Sequence, residues 1–268
     1  MKRMQERRRS MKEKMNKIPV FYACDDNFVK YTMVSLQSMM DHASKEAQYE
    51  IHVLHTNISE EMQKKMHAME NANFSVQFDH VTEYLHSIQE KLPLRDYYSK
   101  TTYFRLFIAE MFPEIDKAIY IDSDTVVLGD IAQLYAYDLG DAYVGACREQ
   151  VMIQEEVYGT YVEKVLGVER DNYFNAGMLV INCEQFRKNH VLEQFMELLP
   201  MYNFVVTQDE DYLNLICHNK VCWLPQKWNV EVFGQIPCRE EEICVLHYIM
   251  VSKPWHYNDC RLQEYFWE

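Results

Sequence analysis

The stretch Ala118-Ile119-Tyr120-Ile121-Asp122-Ser123-Asp124-Thr125-Val126-Val127 constrains the chain most. An apolar run breaks into two carboxylates at i and i+2, then resumes with β-branched residues. On an extended chain, positions i and i+2 share a face about 6.6 Å apart. Two like charges there are unfavourable unless something positive lies between them. At the C-terminal end of a buried strand, a hard divalent cation fills that role. Mg²⁺ or Mn²⁺ binds oxygen ligands and commonly grips substrate phosphates as well. Open α/β sheets bind their ligands at that end of the strands. The plainer alternative is a solvated turn with a capping role.

The length of 268 residues fits one large α/β domain. Seven Gly and seven Pro argue against a disordered or repeat-built chain. No apolar run approaches the ~20 residues of a membrane span. The net charge of -14 is unevenly spread: residues 1–17 hold eight Lys or Arg against two Glu, which leaves -20 for the rest. So acidic a body excludes nucleic acid as a partner by bulk electrostatics. The basic tail has no apolar core of the kind a signal peptide needs. It is expected to be a frayed helix, with at most peripheral contact to an anionic membrane. No CxxC pair occurs among the eight Cys, which speaks against structural zinc. Free thiols in a reducing cytoplasm are expected, at most at the inner face of the membrane.

Apolar runs at 18–24, 49–55, 74–78 and 117–121 read as strands. Helical patterns at 28–42, after Ser59, and from Ser99 to about 111 separate them. The alternation predicts an α/β fold with a Rossmann-like, mostly parallel central sheet and helices on both faces. Further on, strands are expected at 142–147, 174–181 and 243–248, and helices at 183–199 and 209–216. No linker interrupts the chain. One compact domain over 18–268 is expected, with a nucleotide-binding half (18–127) first and a partner-substrate half (128–268) second.

Asp25-Asp26-Asn27 follows the first strand. Its side chains suit a ribose or a base edge, or else cap the next helix. There is no GxGxxG, so the dinucleotide fingerprint is absent. Arg105 sits within Tyr103-Phe104-Arg105-Leu106-Phe107-Ile108. A guanidinium in so apolar a run needs an anion, whether an aspartate of the Asp25-Asp26-Asn27 motif, a substrate phosphate or a surface Glu. His247 ends a strand and is followed by Lys253 and Trp255. A neutral imidazole can complete a two-carboxylate site and suits Mn²⁺, while Lys253 suits phosphate.

An ordered set of motifs then carries a resemblance over nearly the whole chain. It comprises Phe21-Tyr22-Ala23-Cys24-Asp25-Asp26-Asn27, Thr102-Tyr103-Phe104-Arg105-Leu106 and Tyr120-Ile121-Asp122-Ser123-Asp124. It continues through Phe174-Asn175-Ala176-Gly177, Gln208-Asp209-Glu210-Asp211-Tyr212-Leu213-Asn214 and His247-Tyr248 with Lys253-Pro254-Trp255. The chain resembles the family 8 glycosyltransferases, the retaining group with bacterial lipopolysaccharide galactosyl- and glucosyltransferases and glycogenin. That resemblance implies a GT-A type fold, a UDP-hexose donor, a glycan or glycolipid acceptor, and Mn²⁺, with Mg²⁺ as the alternative. By position, Asp122, Asp124 and His247 would hold the metal. Ala23, Asp25 and Asn27 would hold uridine, the Ser123 backbone would lie near the ribose, and Arg105 by the donor. Lys253 would grip the diphosphate, and Asn175, Ala176 and Asp209 would line the sugar pocket.

Three positions depart from the pattern or extend it. Glu210 stands where relatives often carry Gln, on the sugar face from which a nucleophile or ion-pair stabiliser would act; an idle carboxylate at a helix N-terminus is equally open. Met250 stands where the family often has Gly. Glu149 falls where relatives place an Asp toward the acceptor. Two other readings compete. Asp122-Ser123-Asp124-Thr125-Val126 also fits the motif of haloacid-dehalogenase-like phosphatases, although that motif belongs on a first strand. A protein that binds a nucleotide sugar without transferring it is the third.

Overall fold

The computed structural model describes residues 17–88, 101–202, 204 and 206–268. The basic tail and the expected cap at Ser99 lie outside the described residues. The strands are β1 (Lys17–Ala23), β2 (Gln48–His55), β3 (Phe74–His80), β4 (Ala118–Ile121) and β5 (Thr125–Val127). They continue as β6 (Val144–Arg148), β7 (Phe174–Ile181), β8 (Val221–Trp223), β9 (Val230–Glu231) and β10 (Val245–His247). The main sheet has the order β3-β2-β1-β4-β7-β6-β8, and β5-β10-β9 form a second, smaller sheet. The pairs β1–β2, β2–β3 and β1–β4 are parallel, as the βα alternation dictates. β7 runs antiparallel to both β4 and β6, so the sheet is mixed on its second side.

Every residue of β4 and β7 is buried, which explains their unbroken apolar runs. Two large cores flank the main sheet. Phe21, Tyr120 and Leu179 belong to one, and Val20, Ile119 and Val180 to the other. The alternating faces of β1, β4 and β7 therefore feed opposite layers.

The helix Val29–His42 crosses between β1 and β2 and buries Val29, Thr32, Ser35, Leu36 and Met39. Leu36 and Met39 contribute about 1.5–3 kcal/mol each by leaving water. Its hydroxyls form a polar seam. Thr32 Oγ1 donates to Ser123 Oγ at 2.8 Å, and Ser35 Oγ lies 2.8 Å from Thr125 Oγ1. Ser38 Oγ accepts from the Val127 N–H at 2.9 Å. This seam fixes the segment that carries both carboxylates.

Several sequence expectations need correction. Asp122-Ser123-Asp124 is not extended strand: Ser123 and Asp124 form a turn through which the chain leaves β4 in the main sheet and enters β5 in the small one. The helix expected up to residue 111 is a 3₁₀ turn, Thr101–Leu106, followed by a short helix, Ile108–Met111. Arg105 Nε donates to the Thr102 carbonyl at 2.8 Å, and this side-chain claim on the backbone favours the tighter turn. The helix expected over 183–199 is two, Cys183–Lys188 and Val191–Leu198. The break falls at His190, whose φ is +54°.

Candidate functional site

β1 and β4 are neighbours in the main sheet, and the segments that leave them, the helix Val29–His42 and β5, pack against each other. The crevice past their C-terminal ends is where an open α/β sheet binds its ligand. Asp25 and Asn27 stand past β1, and Asp122 and Asp124 past β4. The small sheet supplies the third element: β10 pairs antiparallel with β5 and sets His247 opposite Thr125. His247 Nε2 lies 3.2 Å from Asp124 Oδ1 and 4.0 Å from Asp122 Oδ2. One ligand atom from each of the three lies within 4.8 Å of the others. Two carboxylates and an imidazole suit a divalent cation of the Mn²⁺ type. Gly177 opens the space they occupy, since a Cβ there would sit 2.2 Å from His247 Cε1.

Positive charge surrounds this cluster. Arg105 is 3% exposed, and its Nη2 donates to Asp122 Oδ1 at 3.0 Å. Its Nε lies 3.1 Å from Asp209 Oδ2, and Nη1 donates to the Ala176 carbonyl. Its partners are Asp122 and Asp209 rather than an aspartate of the Asp25-Asp26-Asn27 motif or a surface Glu. Tyr120 lies 4.3 Å beneath the guanidinium and donates its hydroxyl to Asp122 Oδ1 at 2.7 Å. Lys253 donates to Asp124 Oδ2 and to the Tyr248 carbonyl. Burial alone would raise the Asp124 pKa, but Lys253 and His247 overcome it and hold the carboxyl well below its usual range. For Asp209, burial outweighs Arg105, and its pKa is raised.

Beyond the cluster lies a cavity of about 460 Å³, lined by Glu149, Asn175, Thr207 and Glu210, with Tyr158 and Met250 among its apolar walls. Gln208, at φ +56°, turns the chain into the helix Asp209–Cys217, and the first three residues of that helix are all buried acids. Asp211 is structural, accepting from the Tyr161 and Tyr173 hydroxyls at 2.9 Å each. Glu210 Oε2 accepts from the Ala176 N–H at 2.7 Å, whereas Oε1 has no partner among the described residues. Burial, then Glu149, push the Glu210 pKa well up. Glu149 caps its own helix through the Val151 N–H and accepts from Asn175 Nδ2 at 2.5 Å.

The nucleoside side is less enclosed. Asp25 Oδ1 accepts from the N–H groups of Asn27 and Phe28, whereas the capping expected of Asp26 or Asn27 is not what forms: the residue at the cap of the helix Val29–His42 is Phe28. Asp26 Oδ1 accepts from the backbone and hydroxyl of Ser59. Ala23 and Ser123 are buried nearby in sequence order, at the ends of β1 and β4.

Sequence reasoning missed four residues: Tyr120, Gly177, Asn229 and Glu231. Asn229 and Glu231 are 0% and 1% exposed, which sequence alone gives no reason to expect of polar residues. Gly177 lay inside a quoted motif, but only the tertiary contact shows what its missing Cβ is for.

Met250 takes φ +56°, a left-handed conformation that favours Gly, at the position where the resemblance implied Gly. The backbone form is kept without the residue that eases it. Left-handed strain of about 1–2 kcal/mol is partly offset by glycine's larger unfolded-state freedom. Met250→Gly is therefore expected to raise stability by up to about 1 kcal/mol, read from the denaturant midpoint. Met250→Ala, which keeps the strain, should show no gain.

A family model described as "Glycosyl transferase family 8" matches residues 19–259. A putative glycosyltransferase of Haemophilus influenzae is 28% identical over 247 residues, covering 88% of this chain and 72% of that protein. The galactosyltransferase LgtC, solved with donor and acceptor sugar analogs, superposes with a TM-score of 0.74 at 26% identity, covering 93% of this chain and 94% of LgtC. The bifunctional glycosyltransferase WbbM superposes at 0.81 with 26% identity; the match covers 94% of this chain and spans about half (49%) of WbbM. The phosphatase reading loses its footing, since its motif would stand on the fourth strand rather than the first.

Proposed function

The chain belongs to glycosyl transferase family 8, and from that premise we propose metal-dependent, retaining transfer of a hexose from a UDP-sugar to a glycan or glycolipid acceptor. The observation that carries this reading is the Asp122, Asp124 and His247 cluster at the sheet's ligand crevice, with the acid-lined cavity alongside. LgtC supports the choice of a galactose or glucose donor, being a galactosyltransferase bound to donor and acceptor sugar analogs.

Ala23, Asp25 and Asn27 face the nucleoside, with the Ser123 backbone at the ribose. Asp122, Asp124 and His247 hold the ion, Mn²⁺ by preference because one ligand is nitrogen. When bound, the ion supplies Lewis-acid charge for the departing diphosphate. Lys253, paired with Asp124, adds its point charge to the same phosphates as charge develops there. Arg105 keeps Asp122 and Asp209 in fixed positions. Asp209 accepts from sugar hydroxyls and, with Asn175 and Ala176, orients C1. Glu210, as its carboxylate, faces the sugar with its unpartnered oxygen and stabilises positive charge at C1. Glu149 receives the acceptor. No helix among the described residues is long and apolar enough to cross a membrane. All eight cysteines are unpaired, which suits a reducing compartment such as the cytoplasm or its membrane face.

The test is a panel of UDP-sugars with Mn²⁺, followed by UDP release and by the anomeric configuration of the product. UDP release from a UDP-hexose with retained configuration is the expected result. Inversion would overturn the retaining assignment. Tight UDP binding with neither hydrolysis nor transfer across donors and acceptors would instead indicate a binding protein.

A further inference from the structure

A chain of hydrogen bonds runs away from the metal cluster on the side of His247 that does not face the carboxylates. His247 Nδ1 lies 3.1 Å from Asn229 Oδ1. Asn229 Nδ2 donates to Asn175 Oδ1 at 2.7 Å, and Asn175 Nδ2 donates to Glu149 Oε2. All four residues are at most 5% exposed. Beyond Glu149, Glu231 is hydrogen-bonded to that carboxyl and also accepts from the Gln150 N–H.

The direction of this chain follows from one backbone group. The Gly177 N–H, which can only donate, meets Asn175 Oδ1 at 2.9 Å. That identifies the oxygen of the Asn175 amide, so Asn229 must turn its NH₂ toward it. The Asn229 oxygen is then left facing His247, and His247 Nδ1 must carry the hydrogen. With the Nδ1 hydrogen committed to Asn229, Nε2 is the ring nitrogen left to join Asp122 and Asp124 in holding an ion. At its other end the Asn175 amide donates to a carboxylate, so each amide is oriented by both of its neighbours. Asn229 is itself held, its carbonyl accepting from Gln226 Nε2 at 3.0 Å beside the buried Trp228.

We propose that Asn229 is a positioning residue that fixes the tautomer and ring plane of His247 and ties the metal centre to the acceptor-side carboxylate Glu149. Partners of this kind raise the basicity of a ligating histidine, and their loss costs about 10–100-fold in metal affinity. The proposal rests on the metal-site reading given above. One amide in this role also links the two substrates' sites, because a shift of His247 on one side displaces Asn175 and Glu149 on the other.

The test uses the full chain and Mn²⁺ alone, titrated by calorimetry, with metal-free thermal unfolding measured alongside. Asn229→Ala should weaken Mn²⁺ binding by about 10–100-fold. Asn229→Asp keeps an acceptor for His247 but loses the donor to Asn175. It should bind Mn²⁺ within a few-fold of wild type while the acceptor KM rises and donor hydrolysis persists. A purely structural asparagine would lower the metal-free melting temperature in both variants and leave Mn²⁺ affinity unchanged, which would overturn the proposal. Should Asn229→Ala fail to fold, the ring ¹⁵N shifts of His247 in metal-free wild type decide the matter. A ring protonated at Nδ1 supports the proposal, and a ring protonated at Nε2 alone refutes it. If wild type itself binds no divalent ion, the metal-site reading fails first and this inference falls with it.

Discussion

Gly177→Ala is expected to abolish divalent-metal binding and to cut hexosyl transfer by about 10³-fold or more, since bound metal supplies several kcal/mol of charge stabilisation. The added Cβ would lie 2.2 Å from His247 Cε1 and 2.7 Å from Asp122 Oδ2, far inside van der Waals contact. His247 is 4% exposed and hydrogen-bonded to Asn229 behind it, so it cannot retreat without breaking that contact. Overpacking of this kind costs about 1–3 kcal/mol, which a domain of ordinary stability survives. The check is thermal unfolding with and without Mn²⁺. Wild type should be stabilised by ~2.7 kcal/mol when Mn²⁺ stands at a hundred times its Kd. The variant should gain nothing. Asp124→Asn removes ligand charge without adding volume and should behave alike. Undiminished transfer by Gly177→Ala would remove this cluster from the reaction.

The contrast between Gly177 and its neighbours shows what sequence can carry. The strands and their order along the chain were legible because β1, β4 and β7 are buried on both faces and read as unbroken apolar runs. The Rossmann-like sheet followed from that alternation, and the GT-A type from the resemblance alone. Asp122, Asp124 and His247 were legible because chemistry-bearing residues at strand ends break an apolar pattern. The mixed second side of the sheet was not, because a run such as 174–181 looks the same in parallel and antiparallel pairing. Nor was the 3₁₀ turn at Thr101–Leu106, where a side chain rather than local propensity takes the Thr102 carbonyl. Asn229 and Glu231 stayed invisible for a further reason. Asn229 stands just before a two-residue strand and Glu231 ends it, and each takes its role from partners distant in the chain, His247 and Asn175 for Asn229 and Glu149 for Glu231.

Glu210 is where the pH dependence of the reaction should be concentrated. Its carboxyl is 8% exposed and close to other acids, and burial first, then Glu149, raise its pKa well above 4.5. If the carboxylate stabilises charge at C1, the protonated form does not. The wild-type kcat should then climb as pH rises through that raised pKa and level off above it. The apparent value belongs to Glu210 and Glu231 together rather than to one residue, because the two carboxyls interact. Glu210→Gln removes the charge at every pH while keeping the shape and an oxygen for the Ala176 N–H. It should lower kcat by about 10²–10³-fold, the usual cost of losing one such electrostatic contact. The donor KM should change little, and the acid limb should vanish. Stability should move the other way. A carboxyl whose pKa is raised on folding binds more protons in the native than in the unfolded state, so stability falls as pH rises from the unfolded value toward the native one. Glu210→Gln escapes that fall, and relative to wild type it should be more stable at pH 8 than at pH 4. A variant that gained stability in this way yet kept the wild-type kcat and acid limb would show that Glu210 is buried near the sugar without serving the transfer.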